Sequence, residues 1–180
     1  MIKNFEKMPI LKTKRLMLRR LQDGDLDLYF TSKTHPQIVK YLNSPVPRTK
    51  EEVKKYIEKT NNQIDKKKAV SFTAIREEDN KQIGNISIWN FNEDGSEAEL
   101  GYSLLPNYWG RGYMREMLNS ICIYGFEDLS LKTIFAYTHN ENENSKKCLV
   151  KAGFKFKYNV FDPSVDGNSK VLMSVYSINR

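Results

Sequence analysis

The sequence predicts an α+β domain in which a mixed, mostly antiparallel sheet contains one parallel strand–helix–strand step. Three observations predict it. Two alternating apolar segments, "AVSFTAI" and "QIGNISIW", flank the polar loop "REEDNK", as a hairpin requires. From residue 97 to 154 the apolar spacing alternates between strand and helix periods, giving strand, helix, strand and helix in turn. The segment "FKFKYNVFDPSVDGNSKVLMSVYSI" then folds back on itself as a final pair of strands.

In chain order, "KRLMLRRL" sets Leu16 and Leu18 between basic residues and reads as the first strand. "DGDLDLYFTSKTHPQIVKYL" reads as helix, broken near Pro36 because the proline ring cannot continue the helical bonding. "TKEEVKKYIEKTNNQI" puts Val53, Tyr56, Ile57, Thr60 and Ile64 on one stripe, and Thr49 with Glu52 spells a capping box. The lysines at 66–68 fall where that helix should stop, at the negative end of its dipole. After the first hairpin, a turn at Asp94-Gly95 leads into a strand from about Glu97 to Leu104. Met114, Met117, Leu118 and Ile121 then mark an amphipathic helix to about Phe126. "KTIFAYTH" is a strand, and "NENSKKCLVKAGF" a helix ended by Gly153. Asp162-Pro163 and Asp166-Gly167 belong to the loop of the last hairpin. No repeat or low-complexity linker interrupts residues 1–180, which are expected to form a single domain.

Hydrophobic residues at 39%, with 12% aromatic, suit a packed core, and 180 residues supply enough of them. No apolar stretch approaches the ~18–20 residues of a bilayer span, and the first residues lack a signal-peptide apolar block. No membrane association is expected. Cys122 and Cys148 make no metal-ligand spacing with His35 and His139. They read as reduced core thiols of a cytoplasmic protein, with no metal site. The formal net charge of +7, from 29 Lys and Arg against 22 Asp and Glu, attracts anions: nucleic acid, a ribosomal surface or a polyphosphate cofactor.

The stretch "LLPNYWGRGYMREML" concentrates the chemistry. Gly110 and Gly112 bracket Arg111 between the end of a strand and the start of a helix. The first amides of a helix lack internal partners, and glycines let phosphate oxygens reach them without meeting a Cβ. Two phosphate-binding patterns are excluded. Gly-Lys-Ser/Thr is absent, and position 115 is Arg and 116 Glu where a dinucleotide fingerprint needs a third glycine. A plain strand-to-helix turn has the same composition.

"AELGYSLLPNYWGRGYMREML" followed by "NENSKKCLVKAGF" resembles the acetyl-CoA-dependent GNAT N-acetyltransferases, in the branch of ribosomal-protein N-terminal acetyltransferases (RimJ/RimL-like). "LKTKRLMLRRLQDGDLDLYF" and "HPQIVKYLNSPVPRTKEEVKKYI" resemble the same branch, so the likeness covers almost the whole chain. It implies the GNAT fold, with two central parallel strands that splay apart and helices flanking the sheet. It also implies that the amides of Gly110, Arg111, Gly112, Tyr113 and Met114 hold the pyrophosphate of coenzyme A. The main chain of Tyr102, Ser103 and Leu104 would pair with its pantetheine arm. Asn107 stands where that family's turn usually begins with Gln or Arg. The Asn142-x-x-Ser145 pair is implied to touch pantetheine, with Ser145 assisting departure of the thiolate. Many relatives place a tyrosine acid at the position that is Leu149 here, which excludes that role at this site.

Ser145, Cys148, Leu149 and Ala152 share the inward face of their helix, so the serine hydroxyl needs a partner, either its own helix backbone or a ligand. Glu97, Glu99, Gly101 and Ser103 share one face of the strand before the glycine turn. Two carboxylates beside a glycine can attract and deprotonate an ammonium, and Glu99 is the preferred base. The family's carboxylate after the Gly-Phe pair has only Asp162 as a substitute. The acceptor is expected to be an amine: a peptide N-terminus, a ribosomal protein, a polyamine or an antibiotic. Nucleic acid is not an expected partner, and a homodimer is compatible with the reading. The alternative is a basic RNA- or ribosome-binding protein on a non-catalytic GNAT fold, which needs a basic, aromatic-rich face.

Overall fold

In the computed structural model, which describes residues 8–164 and 167–180, the strands are β1 (Leu11–Lys12), β2 (Leu16–Arg20), β3 (Val70–Arg76), β4 (Lys81–Trp89), β5 (Glu97–Leu104), β6 (Thr133–His139), β7 (Lys155–Pro163) and β8 (Lys170–Asn179). The helices are α1 (Leu26–Thr34), α2 (Pro36–Val39), α3 (Lys50–Asp65), α4 (Tyr113–Glu127) and α5 (Glu143–Lys151). Single turns of tighter helix, Asp23–Asp25 and Pro106–Tyr108, lead into α1 and toward α4. The strands form one sheet in the order β1-β2-β3-β4-β5-β6-β8-β7. Every neighbouring pair is antiparallel except β5 with β6, which are joined through α4.

The alternation along β3 explains how both faces are covered. Val70, Phe72 and Ala74 join the main core with Leu118 and Ile121 of α4 and Leu149 of α5. Ser71 and Thr73 point the other way, where Leu28 and Tyr29 of α1 pack on Val53 and Ile57 of α3 in a second, smaller core. Asp25 is fully buried on that side. Arg19 grips its carboxylate at 2.6 and 2.9 Å, Thr73 Oγ1 donates at 2.6 Å, and Gln82 Nε2 donates at 2.8 Å. A buried charge is tolerated only when paired and hydrogen-bonded in this way. The set ties β2, β3 and β4 to the entry of α1.

Several local expectations are corrected. The two-residue strand β1 is too short to show alternation and escapes the sequence reading. Thr49 Oγ1 caps α3 by accepting from Glu52 N–H at 3.2 Å, but the box is not reciprocal: Glu52 Oε2 accepts from Arg48 N–H at 2.9 Å. Asp162-Pro163 ends β7 rather than lying in the loop, because Asp162 stays in register with Val171. Asp166 lies outside the described residues. Cys148 is half-buried rather than a core residue, and both cysteines are free thiols. No helix among the described residues is long and apolar enough to cross a membrane.

Candidate active site

The glycine turn begins at the end of β5. Pro106–Tyr108 makes one tight turn, and Trp109 Nε1 donates to the Leu104 carbonyl at 2.6 Å, tying the turn back to the strand. Gly110 and Gly112 adopt φ of 72° and 83°, the left-handed region that side chains with a Cβ resist. Gly112 is the N-cap of α4 and offers no side-chain acceptor. Side chains do cap α3, through Thr49, and α5, through Asn142. The first helical bond of α4 is Glu116 N–H to the Gly112 carbonyl at 3.2 Å, so the amides of Tyr113, Met114 and Arg115 precede the ladder. A Cβ on Gly110 would stand in open space, free of protein atoms within 4 Å. Bare amides, a positive dipole end and room beside the chain fit a diphosphate.

Arg15, from the connection between β1 and β2, braces this turn. Its Nη2 donates to the Arg111 carbonyl at 2.9 Å, its Nε to Glu116 Oε1 at 2.6 Å, and its guanidinium lies 4.2 Å over the Tyr113 ring. Thr13 Oγ1 donates to the other Glu116 oxygen at 2.7 Å. Burial pushes the Glu116 carboxyl up, but the Thr13 and Arg15 hydrogen bonds outweigh it and hold the group below its ordinary range. Tyr108 meets the buried Tyr113 edge-on at 6.3 Å, which accounts for the aromatics around the glycines. The Arg15 brace was missed from sequence, since nothing in "KTKRLML" ties it to a turn some hundred residues on. The structural role of Arg111 is its carbonyl, and its side chain is exposed.

The second feature is the parting of the parallel strands. β5 and β6 pair from Glu97 with Thr133 to Leu100 with Ala136, and no further. Yet β5 stays paired with β4 to Leu104, and β6 with β8 to His139. The two halves of the sheet therefore diverge after Leu100. Leu105 N–H donates to the Ile83 carbonyl at 2.9 Å, so by alternation the main chain of Ser103 faces β4 and that of Tyr102 faces the gap. Of the expected pantetheine partners, Tyr102 offers its N–H and carbonyl to that gap, whereas the Leu104 carbonyl already accepts from Trp109. Ser103 Oγ is buried on the opposite face of β5 from the main core and has no hydrogen-bond partner, an orphan that suits a polar ligand group.

At the gap, α5 presents Ser145. Asn142 Oδ1 accepts from the Ser145 N–H at 3.1 Å, so Asn142 is an N-cap. The Ser145 hydroxyl bonds neither its own backbone nor solvent-facing groups; it shares a 2.7 Å hydrogen bond with the Tyr102 hydroxyl. Burial pushes the Tyr102 phenol well above its ordinary range, so it stays protonated. Leu149 is fully buried in the main core, in keeping with its exclusion as an acid.

Across the sheet, Glu99 and Phe135 sit at the last-but-one paired position before the parting. Asn90 Nδ2 donates to Glu99 Oε1 at 2.5 Å, orienting the carboxylate. The expected polar floor of Glu97, Glu99, Gly101 and Ser103 is interrupted, because the Trp89 indole lies over Gly101 so closely that a Cβ there would collide with it. Beyond Glu99, Tyr137 stands on β6 in one row with Val175 and Tyr158. Burial first, then the charges of Glu99 and Asp162 and the Tyr158 hydroxyl, pushes the Tyr137 phenol up to about 12. Asp162 thus belongs to the surroundings of Tyr137. The connection between α2 and α3 closes this side: Tyr41 rests on His139 at 5.9 Å and Asn43 Nδ2 donates to the Pro163 carbonyl at 3.0 Å.

A strand pair that parts beside an uncapped, glycine-led helix is the arrangement implied by the sequence's resemblance to the acetyl-CoA-dependent acetyltransferases. Residues 15–155 match the acetyltransferase (GNAT) domain, and the chain belongs to this family: it is an N-acetyltransferase, with acetyl-CoA as its acyl donor. It is 30% identical over 148 residues to the uncharacterized N-acetyltransferase p20 of Bacillus licheniformis, covering 82% of this chain and 83% of that protein. Its fold matches the ribosomal-protein-S5-alanine acetyltransferase of Vibrio fischeri with a TM-score of 0.81 at 19% identity, over 96% of this chain and 97% of that one. It also matches the spermidine N-acetyltransferase of Vibrio cholerae, solved with CoA and spermine, with a TM-score of 0.79 at 21% identity, over 93% and 96%.

Proposed function

We propose that this enzyme acts in the cytoplasm as one domain, acetylating a primary amine, either a protein N-terminal α-amine such as that of a ribosomal protein or a small polyamine-like amine. The parting of β5 from β6 beside the uncapped α4 carries this reading, because it leaves main-chain donors for a diphosphate and a slot between two sheet halves. When bound, acetyl-CoA supplies an activated acetyl thioester. The amides from Gly110 to Met114 would hold its diphosphate, and the main chain of Tyr102 and the Ser145 side chain would receive its pantetheine arm. On the other face, Glu99 takes the proton of the incoming ammonium, directly or through one water, with Asn90 holding the carboxylate in place.

The demand on that base differs between acceptors. Neutralising an amine of pKa ~10.4 at pH 7 costs roughly 4–5 kcal/mol, whereas an α-amine near ~7.7–8.0 costs about 1 kcal/mol. A single oriented carboxylate suffices for the second, which favours the α-amine. The test is release of free thiol from acetyl-CoA across peptides, polyamines and aminoglycosides. Peptide-dependent release that drops about 10²-fold in Glu99→Gln, with CoA binding kept, supports the assignment. Unchanged turnover in that variant removes Glu99 as the base. Phe156 and Phe161 are exposed on one face of the edge strand β7, and sedimentation tests whether two copies pair through it.

A further inference from the structure

Two hydroxyls that meet across the gap carry more than one hydrogen bond can use. Tyr102 comes from β5 and Ser145 from the first turn of α5, and their oxygens lie 2.7 Å apart. Either can donate, yet the pair holds two protons and the shared bond consumes one. The remaining proton needs an acceptor, and neither hydroxyl has another partner among the described residues. Tyr102 is the first residue of β5 beyond the last rung shared with β6 whose main chain faces the gap, and its side chain stands on the main-core face of the sheet, where it meets Ser145 of α5. Leu149 brings no competing hydroxyl.

We propose that Tyr102 is a positioning residue that turns the Ser145 hydroxyl proton toward the sulfur of the acyl donor, making the pair a hydrogen-bond donor for the departing thiolate. This rests on the reading above that the thioester end lies at the parted strands. As the carbon–nitrogen bond forms and the carbon–sulfur bond breaks, the bonding electrons stay on sulfur. Ser145 stabilises that charge while Tyr102 donates to the Ser145 oxygen. The proton shed by the amine to Glu99 and water balances the thiol product. Both hydroxyls keep their protons throughout, in keeping with a phenol that burial holds protonated.

The direct readout is the titration of bound CoA, followed by thiolate absorbance, in the wild type, Tyr102→Phe and Ser145→Ala. A donor aimed at sulfur lowers the thiol pKa of the bound coenzyme, and losing it raises that pKa by about one unit in each variant. Turnover should fall about tenfold in Tyr102→Phe with KM for acetyl-CoA changed less than roughly threefold. The double variant should lose no more than Ser145→Ala alone, since one acts through the other. Equal thiol titrations in the wild type and both variants overturn the proposal, as do multiplying losses in the double variant. Failure of the wild type to bind CoA overturns instead the reading on which it rests. Tyr102→Met, which also removes the phenol, supplies the same titration test if the phenylalanine variant does not fold.

Discussion

Replacing Arg15 by Gln separates a brace on the diphosphate turn from ordinary surface packing. The change removes the Nε bond to Glu116, the Nη2 bond to the Arg111 carbonyl and the stacking on Tyr113. Arg15 is 39% exposed, so its ion pair belongs in the ~0.2–1 kcal/mol range of solvated pairs. The carbonyl bond adds about 0.5–1.5 kcal/mol and the stacking about 0.5–1 kcal/mol. Together these give roughly 1–3 kcal/mol, against a typical total of about 5–15 kcal/mol, so the variant folds. If half of that loss falls on the ordering of Gly110 to Tyr113, CoA affinity weakens about two- to twelvefold, since each factor of ten is ~1.4 kcal/mol. KM for acetyl-CoA rises accordingly and kcat hardly moves, because Arg15 braces the turn and is not at the parted strands. Calorimetric titration with CoA, paired with thermal melts of the free protein, measures both halves. A melt lowered by several degrees with an unchanged Kd would refute the brace, leaving Arg15 a stabiliser of the β1–β2 corner and nothing more.

Gly110→Ala is expected to cost about 1–2 kcal/mol in stability from its φ of 72° and to weaken CoA binding more than melting suggests, because the new Cβ points into open space beside the amides. Calorimetry on folded material checks it. Asp25→Ala leaves the half-buried Arg19 without its carboxylate and Thr73 and Gln82 without their acceptor, and should cost about 3–5 kcal/mol, read as a lowered urea midpoint with the slope unchanged. Glu116 is a depressed carboxyl, so its contribution is present above its unfolded pKa and lost as pH falls through its lower folded value. CoA affinity and thermal stability should therefore decline together on the acid side of the ordinary carboxylate range, and Glu116→Gln should flatten that limb while starting lower at neutral pH.

The residues that were legible in the sequence are those whose job is local. Glu97–Leu104, the end of α5 at Gly153 and the two glycines before α4 declare themselves through alternation, a left-handed stop and missing side chains, all of which are short-range physics. What stayed hidden depends on partners far apart in the chain. Arg15 meets Arg111 and Glu116 across about a hundred residues, Tyr102 meets Ser145 across 43, and Trp89 covers Gly101 from a neighbouring strand. Tyr102 shows the limit most clearly. Strand alternation places its main chain at the gap, and the family resemblance assigns it a backbone role alone. Only the approach of α5 makes its phenol a partner of Ser145. The same reasoning explains why a polar floor of Glu97 and Glu99 was expected. Strand periodicity puts both on one face with Gly101, but a glycine's vacant side is an invitation to whatever the next strand carries. Here that is an indole, which splits the floor and leaves Glu99, oriented by Asn90, as the carboxylate nearer the parting of the strands.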